Sequence, residues 1–197
     1  MASETDIANL AAVRIGTESR ITSLDDNKVL ARALKVAWAT ERQAVLRDGT
    51  YNFSTTRTTL PALAPSAAGA IAPWSYAYEL PTNALRLLEV LDLARIDGYE
   101  REGRRILTDA AAPLAIRYIM DVPELSLWDS LAVEAFALRL AWKVGRKIAG
   151  SAFDTQACWA EYRETISRAK GVDARESPPI AQDDGEWIEA RRGAWNW

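Results

Sequence analysis

The chain has 197 residues, 27 acidic and 24 basic, for a formal net charge of −3, and carries no histidine and one cysteine, Cys158. That excludes Ser/His/Asp and Cys/His nucleophile pairs, imidazole-based zinc sites and an internal disulfide, and it suits assembly in a reducing cytoplasm. Balanced charge argues against a dedicated nucleic-acid domain, while 49% apolar and 26% charged residues are enough to bury a core.

Met1 is followed by Ala2, Ser3 and Glu4, a helix start and not a charged-then-apolar leader. The longest apolar stretch, Leu131 to Trp142, is broken by Glu134 and Arg139 and falls short of the roughly 20 residues of a membrane span. A soluble, unanchored protein with no membrane partner is expected.

Ser3 and Asp6 have the spacing of a capping box, which satisfies free backbone N–H groups at a helix start. With Ile7, Leu10 and Ala11 on one stripe and Gly16 as stop, they predict a helix over about 4–15. Ser23 and Asp26 repeat the signal. Leu30, Leu34, Ala37, Trp38 and Val45 then predict a second helix over about 25–48. Its other face carries Lys28, Arg32, Lys35 and Arg42, a stripe suited to DNA phosphates, to an acidic partner, or simply to solvent.

From Thr50 to Pro81 the composition turns to Thr, Ser, Pro and aromatics, with Pro61, Pro65, Pro73 and Pro81 excluding a continuous helix. Long connections of this kind tend to be interacting, so Tyr51, Phe53, Trp74, Tyr76 and Tyr78 are candidate docking residues. Three short strands follow, Ala84 to Leu91, about Glu100 to Leu107 and Leu114 to Asp121, and read as an antiparallel meander inserted over about 84–121.

Ser126 with Asp129, and Ser151 with Asp154, announce two more helices, over about 126–149 and 154–170, stopped by Gly150 and Gly171. Arg139, Lys143, Arg146 and Lys147 crowd the end of the first, where the helix dipole favours cations without any ligand. The expected fold is therefore α-rich α+β: a four-helix antiparallel bundle over residues 1–171 with a small antiparallel β insert and an extended C-terminal tail, 172–197.

That tail holds Trp187, Trp195 and Trp197 among few other apolar residues. Its six acids against three arginines account for the whole net charge, because residues 1–172 hold 21 of each sign. Aromatic anchors flanked by charge are what an unfolded segment uses to dock on another protein, the alternative being that the tail wraps back on its own domain.

Little points to chemistry. Ser167-Arg168-Ala169-Lys170 matches S-x-x-K formally, but at a helix end and without S-D-N or K-T-G. Paired carboxylates at Glu161 and Glu164, or Glu100 and Glu102, are the minimum a glycosidase needs, so a carboxylate-dependent cell-wall hydrolase, alone or combined with an adaptor role, is the enzymatic alternative. Glu164 has Arg168 at i+4, an ordinary surface pair. Phosphate-binding glycine loops are absent, and Cys158 beside Trp159 reads as a small buried thiol. No catalytic residue, cofactor or metal is expected.

Taken in order, Asp6-Ile7-Ala8-Asn9-Leu10-Ala11, Arg14-Ile15-Gly16 and Ile21-Thr22-Ser23-Leu24-Asp25-Asp26 resemble the opening of tail tubular protein A, the head-to-tail adaptor family of short-tailed bacteriophages. Ala31 and Arg42 to Leu46 are similar to the family's second helix. Tyr51-Asn52-Phe53-Ser54 stands where the family usually has Trp-Asn-Phe-Ala, and Trp74 to Pro81 followed by Leu85-Arg86 resembles its aromatic leucine-proline signature. The resemblance spans residues 1 to about 171 and excludes the tail.

It implies a non-enzymatic virion component, usually a homododecameric ring, that binds the portal protein above and the distal tail nozzle below, with double-stranded DNA passing loosely through the channel. Lys28, Arg32, Lys35 and Arg42 become candidate channel- or partner-facing residues on that view. Trp187, Ile188, Trp195 and Trp197 become the portal anchors. The implied location is the head–tail junction of the virion, assembled in the host bacterial cytoplasm.

Overall fold

The computed structural model describes residues 2–69, 71–91 and 98–176. Helix α1, Glu4–Ile15, starts as its sequence demands: the Asp6 N–H donates to Ser3 Oγ at 3.1 Å and the Ser3 N–H donates back to the Asp6 carboxylate at 3.0 Å. Gly16 closes it at φ 77°, in the left-handed region that a side chain disfavours. The strand-like return to α2 is pinned by Asn9, whose amide bonds both the carbonyl and the N–H of Ile21.

Helix α2 is Val29–Gly49, so it begins later than residue 25. Ser23 and Asp26 do not cap it, because the Asp26 carboxylate is taken by the Thr22 N–H at 2.8 Å and Lys28 occupies the cap position. After it, a 3-10 turn at Asn52–Ser54 leads into strand β1, Thr55–Leu60. A one-turn helix α3, Pro65–Ala68, precedes β2, Tyr76–Glu79, and β3, Ala84–Val90. Strands β4, Glu100–Glu102, and β5, Arg105–Thr108, form a hairpin turning at Gly103, and β6 is Leu114–Met120.

Helix α4, Ser130–Ala149, is capped by Asp129, which accepts the Ala132 N–H at 2.8 Å; Ser126 bonds Glu124 instead, which is why the helix starts four residues after Ser126. Asp154 likewise accepts two N–H groups at the start of α5, Thr155–Glu176. Gly171 does not stop α5. It lies in open space inside the helix, which runs on to Glu176 and takes in the first residues assigned to the tail.

The fold is mixed α+β, and the expected four-helix bundle with a small meander does not describe it. Central α4 packs against α1, α2 and α5 through buried Ala132, Ala135, Ala137 and Ala141, whose small side chains allow close approach. Beside this helical layer stand two three-stranded antiparallel sheets, ordered β1-β6-β3 and β2-β5-β4. The β region begins at residue 55, not 84. Its prolines exclude a continuous helix, Pro65 instead opening the single turn of α3, and the Thr-rich run of β1 is β-branched and suited to a pleated edge. No meander forms, because β3 passes over the β4–β5 hairpin to pair with β6.

Pleat alternation divides the core. Leu114, Ile116 and Tyr118 of β6 meet Leu60, Tyr78 and Ile106 between the sheets, whereas Ile119 joins the helical core. No helix among the described residues is long and apolar enough to cross a membrane.

Candidate docking surfaces

Helices α2, α4 and α5 are locked together by one charge cluster. Arg139 Nε donates to Glu41 at 2.8 Å, and its Nη1 donates to Asp48 at 2.7 Å and to the Tyr162 hydroxyl at 3.1 Å. Tyr162 donates to Asp48 at 2.8 Å, and Lys143 stands 3.4 Å from Glu41. The guanidinium also lies 5.2–5.9 Å from the ring centres of Tyr162, Trp159 and Trp142. Burial alone would lower the pKa of Arg139, but the bond to Glu41 together with the interactions with Tyr162 and Asp48 outweighs it and raises it. The Tyr162 phenol is pushed up by burial and then by its bond to Asp48. Glu41, Asp48, Arg139 and Tyr162 are thus linked by hydrogen bonds across three helices, so the cluster holds the helices together, and half-exposed Lys143 also reaches the surface.

Of the basic residues singled out on α2, the structure does not gather four on one free stripe. Arg42 is turned inward, 14% exposed, with Nη2 and Nε donating to the Asp121 carboxylate at 2.8 and 2.9 Å. Lys35 pairs with Asp25, and Lys28 donates to the Arg20 carbonyl. Arg32 is exposed and lines a groove between α2 and α4.

The aromatic candidates are similarly divided. Tyr51 is fully buried, with burial pushing its phenol pKa up, and its ring stacks on Phe53 at 5.2 Å. Phe53 leads to Trp128, Phe136 and Trp38 in a continuous row of ring contacts. Those two belong to the helical core. Tyr78 is buried and donates to the Ala110 carbonyl at 2.6 Å, and half-buried Trp74 donates to Glu100 at 3.2 Å. Tyr76 is the exposed one of the five, at 37%. Trp187, Ile188, Trp195 and Trp197 lie outside the described residues.

One member of each carboxylate pair is engaged by a neighbouring side chain. Glu161 is held by Arg14, which also contacts Glu134 at 3.1 Å, and Glu100 is the Trp74 acceptor. Cys158 is buried, and burial pushes its thiol up to about 11. No group of three or more potential metal ligands occurs among the described residues.

What periodicity did not reveal is the shape of two helix faces. The α2–α4 groove, about 560 Å³, has an apolar lining that includes Ala33, Val36, Ala37 and Val144, with Arg32, Glu41, Lys143 and Lys147 around it. Val36 is 86% exposed. On α1, Leu10 and Val13 stand out at 46% and 69% exposure, with Asp6, Glu18 and Arg20 beside them. The available signal was Lys143 and Lys147 at i, i+4 beside Val144, a spacing already accounted for by the helix dipole.

Comparison with protein-family models returns no match, and no curated protein matches the chain.

Proposed function

We propose that the chain is a structural connector of a short-tailed bacteriophage, one subunit of a ring, dodecameric in the family it resembles, between the portal and the distal tail nozzle. The ring leaves a channel for the genome and a platform for tail assembly. The observation that carries this reading is the pair of charge-flanked apolar faces, Leu10/Val13 on α1 and Val29/Val36 on α2. Scattered apolar residues are ordinary on a surface, but at helical spacings of three and seven they make continuous patches. Two such patches on one small domain suit a subunit that touches more than one neighbour.

The ordered sequence resemblance over residues 1 to about 171 supports the same reading. Its segments fall at positions that determine the fold: Tyr51–Ser54 forms the turn from α2 to β1, and Tyr76–Glu79 is β2. A near-neutral body suits loose passage of DNA, since a basic lining would grip the phosphates. Trp187, Ile188, Trp195 and Trp197 are the proposed portal anchors.

Sedimentation velocity of the full chain, alone and mixed with the portal ring of its phage, tests the reading. Co-sedimentation in a multimeric complex is expected. A chain that stays monomeric and ignores the portal overturns it. Deleting residues 177–197, which leaves α5 whole, is expected to abolish portal binding while preserving the thermal transition.

A further inference from the structure

The corner where α5 ends is crowded with carboxylates and short of cations. Asp173 and Glu176 lie in the last turn of α5, and the carboxylate of Asp129, at the start of α4, is near enough to act on Asp173. Neutral donors reach them: the Asn52 N–H donates to Asp173 at 3.3 Å, the Asn52 side-chain amide to Glu176 at 3.4 Å, and the Ala132 N–H to Asp129 at 2.8 Å. Lys170 and Arg175 stand on the same helix, yet neither forms an ion pair among the described residues. On the α2 and α4 side, Arg139 is spent on Glu41 and Asp48.

Tyr51, next to Asn52, does not relieve this charge. It is fully buried, and its hydroxyl has no hydrogen-bond partner. Its phenol is pushed up by burial first and then by Tyr162, Asp129, Asp173 and Asp48, which all lie within electrostatic reach of it. Negative charge is unfavourable here for a second reason, since the last turn of a helix carries the negative end of its dipole.

We propose that this corner is an acid-tightened latch: a proton taken up by Asp173 removes one of the opposed charges and fastens the last turn of α5, the base from which residues 177–197 depart. The latch belongs to the single chain, so it stands or falls apart from the connector reading. Where that reading holds, the arm with the proposed portal anchors leaves from a firmer base in acid than near neutrality.

The sign follows from the balance at Asp173. Burial does most to raise its pKa, the Asn52 N–H pulls it down, and the charges of Asp129 and Glu176 raise it again, leaving it above the ordinary value. As pH falls, the folded chain therefore takes this proton before the unfolded chain does. The stabilisation grows as pH drops through the raised folded value and is complete below the ordinary one, about 4. A protonated carboxyl keeps an acceptor oxygen, so the bond from the Asn52 N–H survives.

Amide hydrogen exchange of the full chain, followed by NMR, tests the latch. Protection of residues 173–176, corrected for intrinsic rate and referred to amides in the middle of α4, is expected to rise at least about threefold from neutral pH to about pH 5. Asp173→Asn keeps the acceptor without the charge. It is expected to show the acid level of protection already at neutral pH and to lose the pH dependence. Asp129→Asn, which leaves a capping side chain on α4, is expected to move the Asp173 carboxyl titration downward, read from its carbon-13 resonance, and to shrink the effect.

Protection that is flat or falls on acidification would overturn the proposal, as would an Asp173→Asn chain with the pH dependence of the unmodified one. If Asp129→Asn leaves the Asp173 titration where it was, opposed charge is not what sets the latch and the proposal fails. Both asparagine variants match the residues they replace in shape, and an unchanged thermal transition checks that they fold.

Discussion

Beside α4, charge is buried and answered: Glu41 is 3% exposed and held by Arg139 and Lys143, and Arg139 in turn holds Asp48 and Tyr162. Between the two sheets the described core is eight apolar or aromatic residues, from Leu60 to Tyr118, with no ion pair among them. The helical layer thus takes its register from directional bonds that only one arrangement satisfies, and the double sheet takes its cohesion from area removed from water. The first should fail abruptly when a partner is lost, and the second should yield in proportion to volume.

The sharpest way to break that contrast is Arg139→Met. It strips the chief partner from buried Glu41 and should cost about 3–5 kcal/mol in chemical denaturation. Pairing it with Glu41→Leu should recover much of the loss, because no buried charge is then left unanswered. If the double replacement is as damaging as the single one, directional bonding is not what sets the helical layer.

Between the sheets, Ile116→Ala should cost about 2–4 kcal/mol and Ile116→Val less than half of that, the graded response of a packed core. Hydrogen exchange should show the added opening in β1, β3 and β6 before α4. Gly49→Ala probes the seam between the layers. A Cβ there would lie 2.1 Å from the Tyr51 ring, so the melting midpoint should fall by an amount equivalent to about 1–3 kcal/mol.

Asp121 joins the layers through Arg42 and Gln43. Burial would raise its pKa, but those bonds outweigh it and hold the carboxyl below its ordinary value. The unfolded chain therefore takes up that proton first as pH falls. The stabilisation is complete above the ordinary carboxyl value, about 4, and is lost as pH drops through the lower folded value. Asp121→Asn should lower stability by about 1–2 kcal/mol at neutral pH and flatten its acid dependence. Smallest of all, Lys35→Ala removes only the exposed pair with Asp25 and should change stability by less than about 0.5 kcal/mol.

The helices were legible because their cues are local. Ser3 and Asp6 sit three residues apart and meet in space, and Gly16 is left-handed as its position implied. The same Ser-x-x-Asp spacing misled where a nearer group intervened: Thr22 takes Asp26, and Glu124 takes Ser126. Strand β1 was hidden because threonines read as loop while acting as β-branched residues, and the hairpin at Gly103 looked like one continuous strand. Sheet order depends on β6 pairing with two earlier strands, β1 and β3, the first of them more than fifty residues before it, which no local pattern encodes.

Among the candidate site residues, exposure could be read for Arg32 and Tyr76 but not for Arg42 or Tyr51. Their surroundings are supplied by distant segments: Asp121 lies 79 residues beyond Arg42, and the aromatic row behind Tyr51 reaches Trp128 and Phe136. The groove was missed for the same reason, since its lining comes from two helices about a hundred residues apart.

Helix α5 ends on a clasp: the Asn52 amide bonds the Asp173 carbonyl at 3.2 Å and Glu176 at 3.4 Å, and the Asn52 backbone N–H bonds the Asp173 side chain at 3.3 Å. Mechanically this makes α5 a stiff rod, 22 residues and so about 33 Å long, anchored at the corner where α2 turns into β1. Tension applied beyond residue 176 along the rod would have to shear its whole seam with α4 at once. The same tension applied sideways would meet only the Asn52 clasp first and peel the rod from its end. The direction in which a neighbour pulls thus decides whether this subunit behaves as a strut or as a zipper.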